Sequence, residues 1–289
     1  MKPAPFDYQA PTTLDEAIAA LSSGGDSAKA LAGGQSLIPV LAMRLAKFDR
    51  LVDLRKIDEL RQIDVGAEAA RVGAMVRQAD AERHPGLRRA VPLLSLALAN
   101  VGHFQIRNRG TIGGSIAHAD PAAELPAVAL ALDATLEAAG PDGHRDIAAS
   151  DFFEGTFTTA LDDDEILTAV GFPVWGAGSG FAVEEVARRH GDFALVGAAC
   201  GIQVSGGAVS RAAIGMFGMG YVPLRASAAE DGLIGSDPAA IDATALGAAA
   251  IAVLDPPTDI HATGEYRKAV APHVIARAIT RAIEEAQRG

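Results

Sequence analysis

The stretch Ala28-Lys-Ala-Leu-Ala-Gly-Gly-Gln-Ser-Leu37 joins an apolar run to a helix-prone run through a pair of glycines. It predicts a short buried strand over Ala28–Ala32, a break at Gly33 and Gly34, and a helix over Ser36–Ala46. Glycines let backbone N–H groups approach an anion, and a helix N-terminus favours negative charge. The stretch therefore predicts an anion-binding turn, although a tight turn capped by Ser36 explains the same residues.

The residues on either side extend this turn into a small α/β unit. Upstream, Thr13-Leu-Asp-Glu16 has the pattern of a capping box and predicts a helix that runs to about Leu21. Downstream, Leu51–Leu54 predicts a second strand. The resulting order of strand, loop, helix and strand is typical of anion-binding sites.

A second pair of glycines, in Thr111-Ile-Gly-Gly-Ser115, repeats this chemistry ahead of another helix-prone run. Two such loops suit a diphosphate better than either loop alone. Arg107 and Arg109 lie just upstream. Two interpretations of these arginines stay open, since they would either neutralise phosphate or lie on a solvated or partner-facing surface.

The composition excludes several classes of protein. Of the 289 residues, 49% are hydrophobic, and the formal net charge of −11 argues against nucleic-acid binding. The one cysteine, Cys200, excludes an iron–sulfur cluster, a thiolate zinc site and an internal disulfide within this chain. The sequence begins without a signal peptide, and its apolar stretches are too short or too charged to span a bilayer. We therefore expect a cytoplasmic protein.

The remaining pattern predicts three subdomains, at residues 1–54, 55–177 and 178–289. In the second, Leu87–Gly102 predicts one buried helix. Trp175–Gly180 predicts a linker to the third. The third is expected to contain three strands and a helical tail, at Phe181–Ala187, Ala194–Val204, Ala208–Phe217 and Asp237–Gln287.

Other candidate motifs are weak. The sequence contains no nicotinamide-binding glycine fingerprint and no phosphate-binding P-loop. His118-Ala-Asp120 offers too few ligands for a metal site, and no catalytic residue is assigned. His190-Gly-Asp192 is expected to be a turn between strands. Glu184 and Glu185 are expected to be solvated.

The two glycine motifs occur in an order that resembles a known family. A-G-G-Q-S-L followed by T-I-G-G-S-I-A-H-A-D-P-A-A-E-L-P is similar to the FAD-binding medium subunit of molybdenum hydroxylases, such as carbon monoxide dehydrogenase and xanthine dehydrogenase. The resemblance continues through Phe6–Tyr8, Phe152–Leu161, Glu165–Leu167 and Val186–Phe193. It implies an α+β, FAD-binding PCMH-type fold. Such a fold has a small α/β subdomain, a mixed α+β subdomain and a C-terminal three-stranded sheet with helices.

The resemblance also implies a set of FAD contacts. Ala32–Ser36 and Thr111–Ser115 would cradle the pyrophosphate. Glu124 lies where the family often has an aspartate on the adenosine ribose, and Phe193 where relatives have a tyrosine over the isoalloxazine. Glu185 lies where many relatives have lysine, and its role is open. The full expected set is Ala32, Gly33, Gly34, Gln35, Ser36, Leu37, Val101, Thr111, Ile112, Gly113, Gly114, Ser115, His118, Glu124, Leu161, Leu167 and Phe193.

The implied function is electron transfer through FAD. A small subunit with 2Fe-2S clusters would deliver electrons and a large subunit would hold the molybdopterin cofactor, in a dimer of heterotrimers. FAD would pass the electrons to an external acceptor. Two alternatives stay open: a self-sufficient FAD-dependent oxidase or reductase, and a non-catalytic assembly module. The organic substrate and the acceptor are not readable from this chain.

Overall fold

The N-terminal part of the chain is a three-stranded parallel sheet with two helices. A computed structural model describes residues 2–288. The elements of this part are β1 Asp7–Gln9, α1 Leu14–Ser22, β2 Ala28–Leu31, α2 Leu37–Ala42 and β3 Arg50–Asp53. The strand order is β1-β3-β2, and both pairs are parallel. The carboxyl ends of the strands therefore meet at one edge of the sheet.

Of the two helices in this part, α1 begins as the sequence predicts and α2 differs from its prediction. The capping box is confirmed, because Glu16 donates its backbone N–H to Thr13 Oγ1 at 3.2 Å and its side chain accepts from the N–H of Thr13 at 3.3 Å. Helix α2 is shorter than predicted and ends at Ala42. Ser36 lies at its N-cap position but makes no side-chain capping bond, so the alternative of a turn capped by Ser36 is wrong.

The middle part is a mixed α+β unit around an antiparallel sheet. Its elements are β4 Ile63–Val65, β5 Ala69–Gly73, α3 Gln78–Arg83, α4 Pro85–Ala90, α5 Pro92–Leu98, α6 Phe104–Arg107, α7 Ile112–His118, α8 Glu124–Ala131, β6 Thr135–Gly140, β7 Gly143–Ala148, α9 Ala149–Phe152, β8 Phe153–Gly155, β9 Thr158–Thr159 and β10 Ile166–Pro173. Five strands pair in the order β4-β5-β10-β6-β7, and β8 pairs with β9. Helices α5, α7 and α8 pack in the core that this sheet closes.

The single helix expected over Leu87–Gly102 is wrong. Pro92 has no N–H to donate and disfavours helical backbone at Val91, whose φ of −133° and ψ of 66° end α4. The chain restarts as α5 with the proline in its first turn. The expected burial is confirmed, because Leu93, Leu94 and Leu98 have no exposed surface.

The C-terminal part is an antiparallel sheet covered by helices. Its elements are β11 Ser179–Ala187, β12 Ala194–Ser205, β13 Ala208–Phe217, β14 Leu224–Arg225, α10 Ser227–Leu233, α11 Ala243–Ile251 and α12 Gly264–Ala286. The three predicted strands are confirmed, and β14 adds a short fourth strand to the expected three-stranded sheet. The helical tail is interrupted, since residues 252–263 between α11 and α12 are not helical.

Both faces of this sheet are covered. Helix α12 packs on one face, and Phe181 and Ala199 on the other face join the core of the middle part. Glu184 is therefore 5% exposed and pairs with Arg277 at 2.7 Å and with Arg281, so the expectation of a solvated side chain is wrong. Trp175, expected in a linker, is also buried. Each of the three main sheets nevertheless lies within one of the segments expected to be subdomains.

Candidate functional site

The first glycine loop lies at the carboxyl edge of the parallel sheet. Ala32–Ser36 connects β2 to α2, and at the same edge Asp53 ends β3 and Arg55 follows it. Within residues 2–288, the backbone N–H groups of Gly33, Gly34 and Gln35 donate no hydrogen bond. Ligands of α/β sheets bind beyond the carboxyl ends of the strands, where such groups are free to meet an anion. The three N–H groups of this loop are therefore available to an anion, and anion binding there stays a prediction.

The second glycine motif is built differently from the expected loop. Gly113 and Gly114 lie in the first turn of α7, which Thr111 caps by accepting the N–H of Gly114 at 3.0 Å. The N–H groups of Ile112 and Gly113 donate to Val76 and Ala74 at 3.0 and 2.9 Å. Most donors of this turn are thus already used inside the protein, and its glycines serve close packing.

The two motifs touch each other. A Cβ on Gly33 would lie 2.4 Å from the carbonyl oxygen of Arg109 and 2.7 Å from Cα of Gly110. A Cβ on Gly114 would lie 2.6 Å from Thr111 Oγ1 and 3.1 Å from Cβ of Ala32. Any side chain would therefore force the two segments apart. The glycine pairs make one cradle from segments that are distant in sequence.

A cavity of about 910 Å³ opens beside the cradle. Ala32, Gly33, Gly34, Gln35 and Thr111 of the expected set line it, with the polar side chains Asp53, Arg55, Arg61, Arg77, Asp80, Asn108 and Arg109. We call it the arginine cavity. Its volume is within the range of small-molecule and cofactor sites.

Arg107 and Arg109, the two arginines just before the second glycine motif, have different surroundings. Arg107 does not line it, because its guanidinium donates to Glu82 at 2.9 Å and to the carbonyl oxygens of Val101 and Gly102 at 3.0 Å. Arg109 does line it. Arg107 thus holds the Val101–Gly102 turn, and Arg109 is the arginine that can meet an anion.

Comparison with known proteins identifies the family. Residues 4–175 match the FAD binding domain in molybdopterin dehydrogenase, and residues 181–282 match the CO dehydrogenase flavoprotein C-terminal domain. The chain belongs to the FAD-binding medium subunits of the molybdenum hydroxylases.

Individual relatives cover nearly the whole chain. The alpha subunit of the 6-hydroxypseudooxynicotine dehydrogenase complex of Paenarthrobacter nicotinovorans is 39% identical over 99% of this chain and 97% of its own length. The beta subunit of caffeine dehydrogenase from Pseudomonas sp. strain CBB1 is 40% identical over 98% and 97%. The carbon monoxide dehydrogenase structure from Hydrogenophaga pseudoflava has a TM-score of 0.95 at 37% identity, covering 99% of each chain.

Phe193 and Val101, two residues expected from the sequence to contact FAD, lie on neighbouring segments. The turn of residues 188–193 packs on the turn that Arg107 holds, since a Cβ on Gly191 would lie 3.0 Å from the carbonyl oxygen of Gly102. His190-Gly-Asp192 belongs to this turn between β11 and β12, as predicted. Phe193 is 60% exposed and lines a second cavity of about 450 Å³ with Arg188 and His261. An aromatic ring this exposed is available to stack on a flat ligand.

His118 ends α7 and stacks on Phe157, with ring centroids 4.8 Å apart. Burial lowers the pKa of the His118 imidazole, and this effect exceeds that of Asp120, which raises the pKa. His118 is thus neutral at neutral pH and can accept or donate a hydrogen bond. Phe157 has a positive φ of 58°, an uncommon backbone for a bulky residue.

Leu161 and Leu167 lie in the core of the middle part rather than in the arginine cavity. Leu167 is only 4% exposed on β10, and Leu161 is half-buried after β9. Of the two, only Leu161 offers substantial surface to a ligand. The remaining expected contacts of the two glycine motifs also lie outside the arginine cavity, namely Ser36, Leu37, Ile112, Gly113, Gly114 and Ser115.

Glu124 and Glu185 are two carboxyl groups whose pKa values lie well above the ordinary value for glutamate. Glu124 is the first residue of α8 and is 7% exposed. Its pKa is raised to about 8, mainly by burial and to a smaller extent by the negative charges of Glu185 and Asp120. Burial also raises the pKa of Glu185 to about 7. Glu185 Oε2 is buried without a hydrogen-bond partner in residues 2–288, so the expectation that Glu185 is solvated is wrong.

These raised pKa values predict the direction of a pH effect. A carboxyl whose pKa is higher in the folded than in the unfolded chain stabilises the fold while it is protonated, and loses this contribution as pH rises through about 7 for Glu185 and about 8 for Glu124. We expect the melting temperature of the FAD-free chain to fall between pH 5 and 9. Glu124→Gln should flatten the profile most. Glu59→Gln, at an exposed position, should leave it unchanged, and an equally steep profile in Glu124→Gln would refute the assignment.

The sequence did not single out the polar lining of the arginine cavity. Asp53 is 5% exposed and accepts from the Tyr8 hydroxyl at 2.7 Å and from the N–H of Arg55 at 2.9 Å. The signal was available, because polar residues directly after a parallel strand lie at the ligand edge of its sheet. For Arg77, which does not lie at the end of a parallel strand, the sequence contains no comparable signal. In residues 2–288, no three His, Cys, Asp or Glu side chains are placed to hold a metal ion. No helix there is long and apolar enough to cross a bilayer.

Proposed function

We propose that this chain is the electron-transfer flavoprotein of a cytoplasmic molybdenum hydroxylase complex. It holds FAD at the cradle of Ala32–Ser36 and Thr111–Ser115 and receives electrons from 2Fe-2S clusters of a small partner subunit. It passes them to an external acceptor. A large partner subunit with the molybdopterin cofactor oxidises the organic substrate, and the assembly is a dimer of heterotrimers. Residues 1–54, 55–177 and 178–289 serve as its subdomains.

The observation that carries the proposal is the cradle itself. Within residues 2–288, three backbone N–H groups of the first loop donate no hydrogen bond, and the close contact of the two glycine motifs leaves no room for a Cβ on Gly33 or Gly114. Backbone donors bind a pyrophosphate without needing a charged side chain. Ser36 makes no capping bond, so its hydroxyl is free for the ligand. The residues therefore fit FAD.

The side chains of this chain bind and orient the cofactor. Bound FAD supplies the exchange between one-electron and two-electron transfer. Phe193 would offer its exposed ring for stacking on the flat ring system, and the Glu124 carboxyl, with its raised pKa of about 8, would be able to donate a hydrogen bond to the cofactor. Cys200 is fully buried with a pKa that burial raises, so it takes no part in thiol chemistry.

The relatives support the division of labour. Several are named as medium chains or subunits of dehydrogenases that act on carbon monoxide, caffeine or nicotine derivatives. These substrates are chemically unrelated, yet the chains share this fold throughout. A chain of constant fold across such substrates is consistent with a common electron-transfer role, with specificity residing in another subunit.

The test is purification of the chain alone and in its complex. We expect the isolated chain to bind one FAD and to oxidise none of the organic substrates of its complex, and the complex to reduce that FAD when substrate is added. Substrate oxidation by the isolated chain would show a self-sufficient oxidase or reductase instead. A chain that takes up no FAD on reconstitution would show an assembly module.

A further inference from the structure

The arginine cavity is a basic site in an acidic chain. Four arginines and two aspartates line it, whereas the whole chain has a net charge of −11. Arg77 and Arg109 form no ion pair within residues 2–288, and Arg61 has only a long 3.8 Å pair with the exposed Asp58. Arg55 pairs with Asp53 at 3.2 Å. The uncompensated guanidinium groups attract a negatively charged ligand to this one part of the surface.

The surroundings of the cavity fit a protein better than a small molecule. Ile38, which lines the cavity, is 42% exposed, and Met43 and Leu45, just after the same helix α2, are 51% and 73% exposed. Helix α6 runs directly into the cavity-lining residues Asn108 and Arg109 and exposes Phe104 to 61%. Large exposed apolar side chains, methionine, aromatic residues and arginine are enriched in protein interfaces. Small-molecule sites are enclosed and mainly apolar instead.

The position of the cavity selects the partner. Ala32–Gln35 and Thr111 form both a wall of the cavity and part of the FAD cradle. A protein that covers the cavity therefore comes next to the cofactor, as the electron donor must. Resting on the function proposed above, we infer that the arginine cavity, with the exposed apolar residues around it, docks an acidic face of the 2Fe-2S partner subunit. Acidic side chains of the partner pair with Arg61 and Arg77.

Charge reversal in the tagged chain, purified with its complex from its own host, tests this inference. We expect Arg61→Glu/Arg77→Glu to reduce the co-purified iron per flavin more than about tenfold at about 150 mM salt, because like charges then face each other. The flavin content per chain should not change. Arg88→Glu/Arg89→Glu changes the same charge at exposed positions outside the cavity and should keep wild-type iron.

A second variant tests the apolar part of the surface. Met43→Ser/Leu45→Ser should also lower iron per flavin, with flavin content and melting temperature unchanged, because both side chains are exposed in the free chain. The wild-type association should weaken as salt is raised, as expected of charge pairing.

Four outcomes would overturn the inference. Unchanged iron per flavin in the double arginine variant means that the partner binds elsewhere. Loss of flavin from the double arginine variant, with wild-type flavin in the Arg88→Glu/Arg89→Glu control, means that the cavity is part of the cofactor site. Arginine-dependent binding of inorganic pyrophosphate to the FAD-loaded chain, with iron retained, means a small-anion site. A wild-type chain that binds FAD but never co-purifies with 2Fe-2S protein contradicts the proposed function itself, and the docking surface with it.

Discussion

The Gly114→Asp variant is expected to lose its flavin. A side chain at this position meets Thr111 Oγ1 at 2.6 Å and Cβ of Ala32 at 3.1 Å, so it separates the two walls of the cradle. The added carboxylate also repels a pyrophosphate. We expect FAD affinity to fall by more than about a hundredfold, which corresponds to roughly 2.7 kcal/mol. The visible flavin absorbance per chain after reconstitution and dialysis measures this loss.

Two further variants separate the causes. Gly176→Asp adds the same carboxylate at an exposed glycine whose closest neighbour is the flexible end of Gln203, and it should keep full flavin. Gly114→Ala adds bulk without charge and should give an intermediate loss. Circular dichroism must show a folded Gly114→Asp chain, since Thr111 loses its capping bond at a cost of about 1 kcal/mol. Normal flavin content in Gly114→Asp would refute the cradle.

The second large effect is expected at the buried carboxylate of Glu184. Replacing both Arg277 and Arg281 by glutamine leaves this side chain, which is 5% exposed, without a countercharge. Breaking a buried ion pair from one side costs about 3–5 kcal/mol. The melting temperature should therefore fall by on the order of 10 °C. Differential scanning calorimetry on the FAD-free chain measures the change.

Variants of Glu184 itself and of an exposed ion pair show whether the loss of stability comes from an unpaired buried charge. The arginines are 62% and 60% exposed, so they regain water when Glu184 is removed. Glu184→Leu should thus cost less than the arginine pair, and adding it to the double variant should restore part of the lost stability. Arg288→Gln, which breaks only an exposed pair with Glu284, should have little effect. An equal effect of Arg288→Gln and the double variant would refute the argument.

The sequence predicts this fold best where neighbouring residues decide the structure. The capping box of Thr13 and the long strands β11, β12 and β13 depend on local patterns, and the structure has them. The break at Pro92 was also readable locally, because the residue before a proline avoids helical backbone. The burial of Glu184 was not, because its partner Arg281 is 97 residues away. Local hydrophobicity cannot show that both faces of β11 are covered.

In the candidate site, too, local features could be predicted from the sequence and features that depend on distant residues could not. The glycine pairs predict the cradle because their backbone chemistry is local. Whether their N–H groups stay free for a ligand depends on distant segments, since the N–H groups of Gly113 and Ile112 donate to the carbonyl oxygens of Ala74 and Val76. The arginine cavity collects its charges from four separate segments around Arg55, Arg61, Arg77 and Arg109. Such a cluster exists only in the folded chain and has no signature along the sequence.

The contact of Gly33 with Arg109 and Gly110 gives the cofactor a role in the lifetime of the protein. The cradle has one wall in the N-terminal part and one in the middle part, so a ligand that bridges them resists any opening between the two. A ligand present at about a hundredfold its dissociation constant adds roughly 2.7 kcal/mol to the native state. If FAD bridges the cradle as proposed, the chain loses this stabilisation in a flavin-depleted cell. Its local opening then becomes more frequent, and proteases reach it sooner.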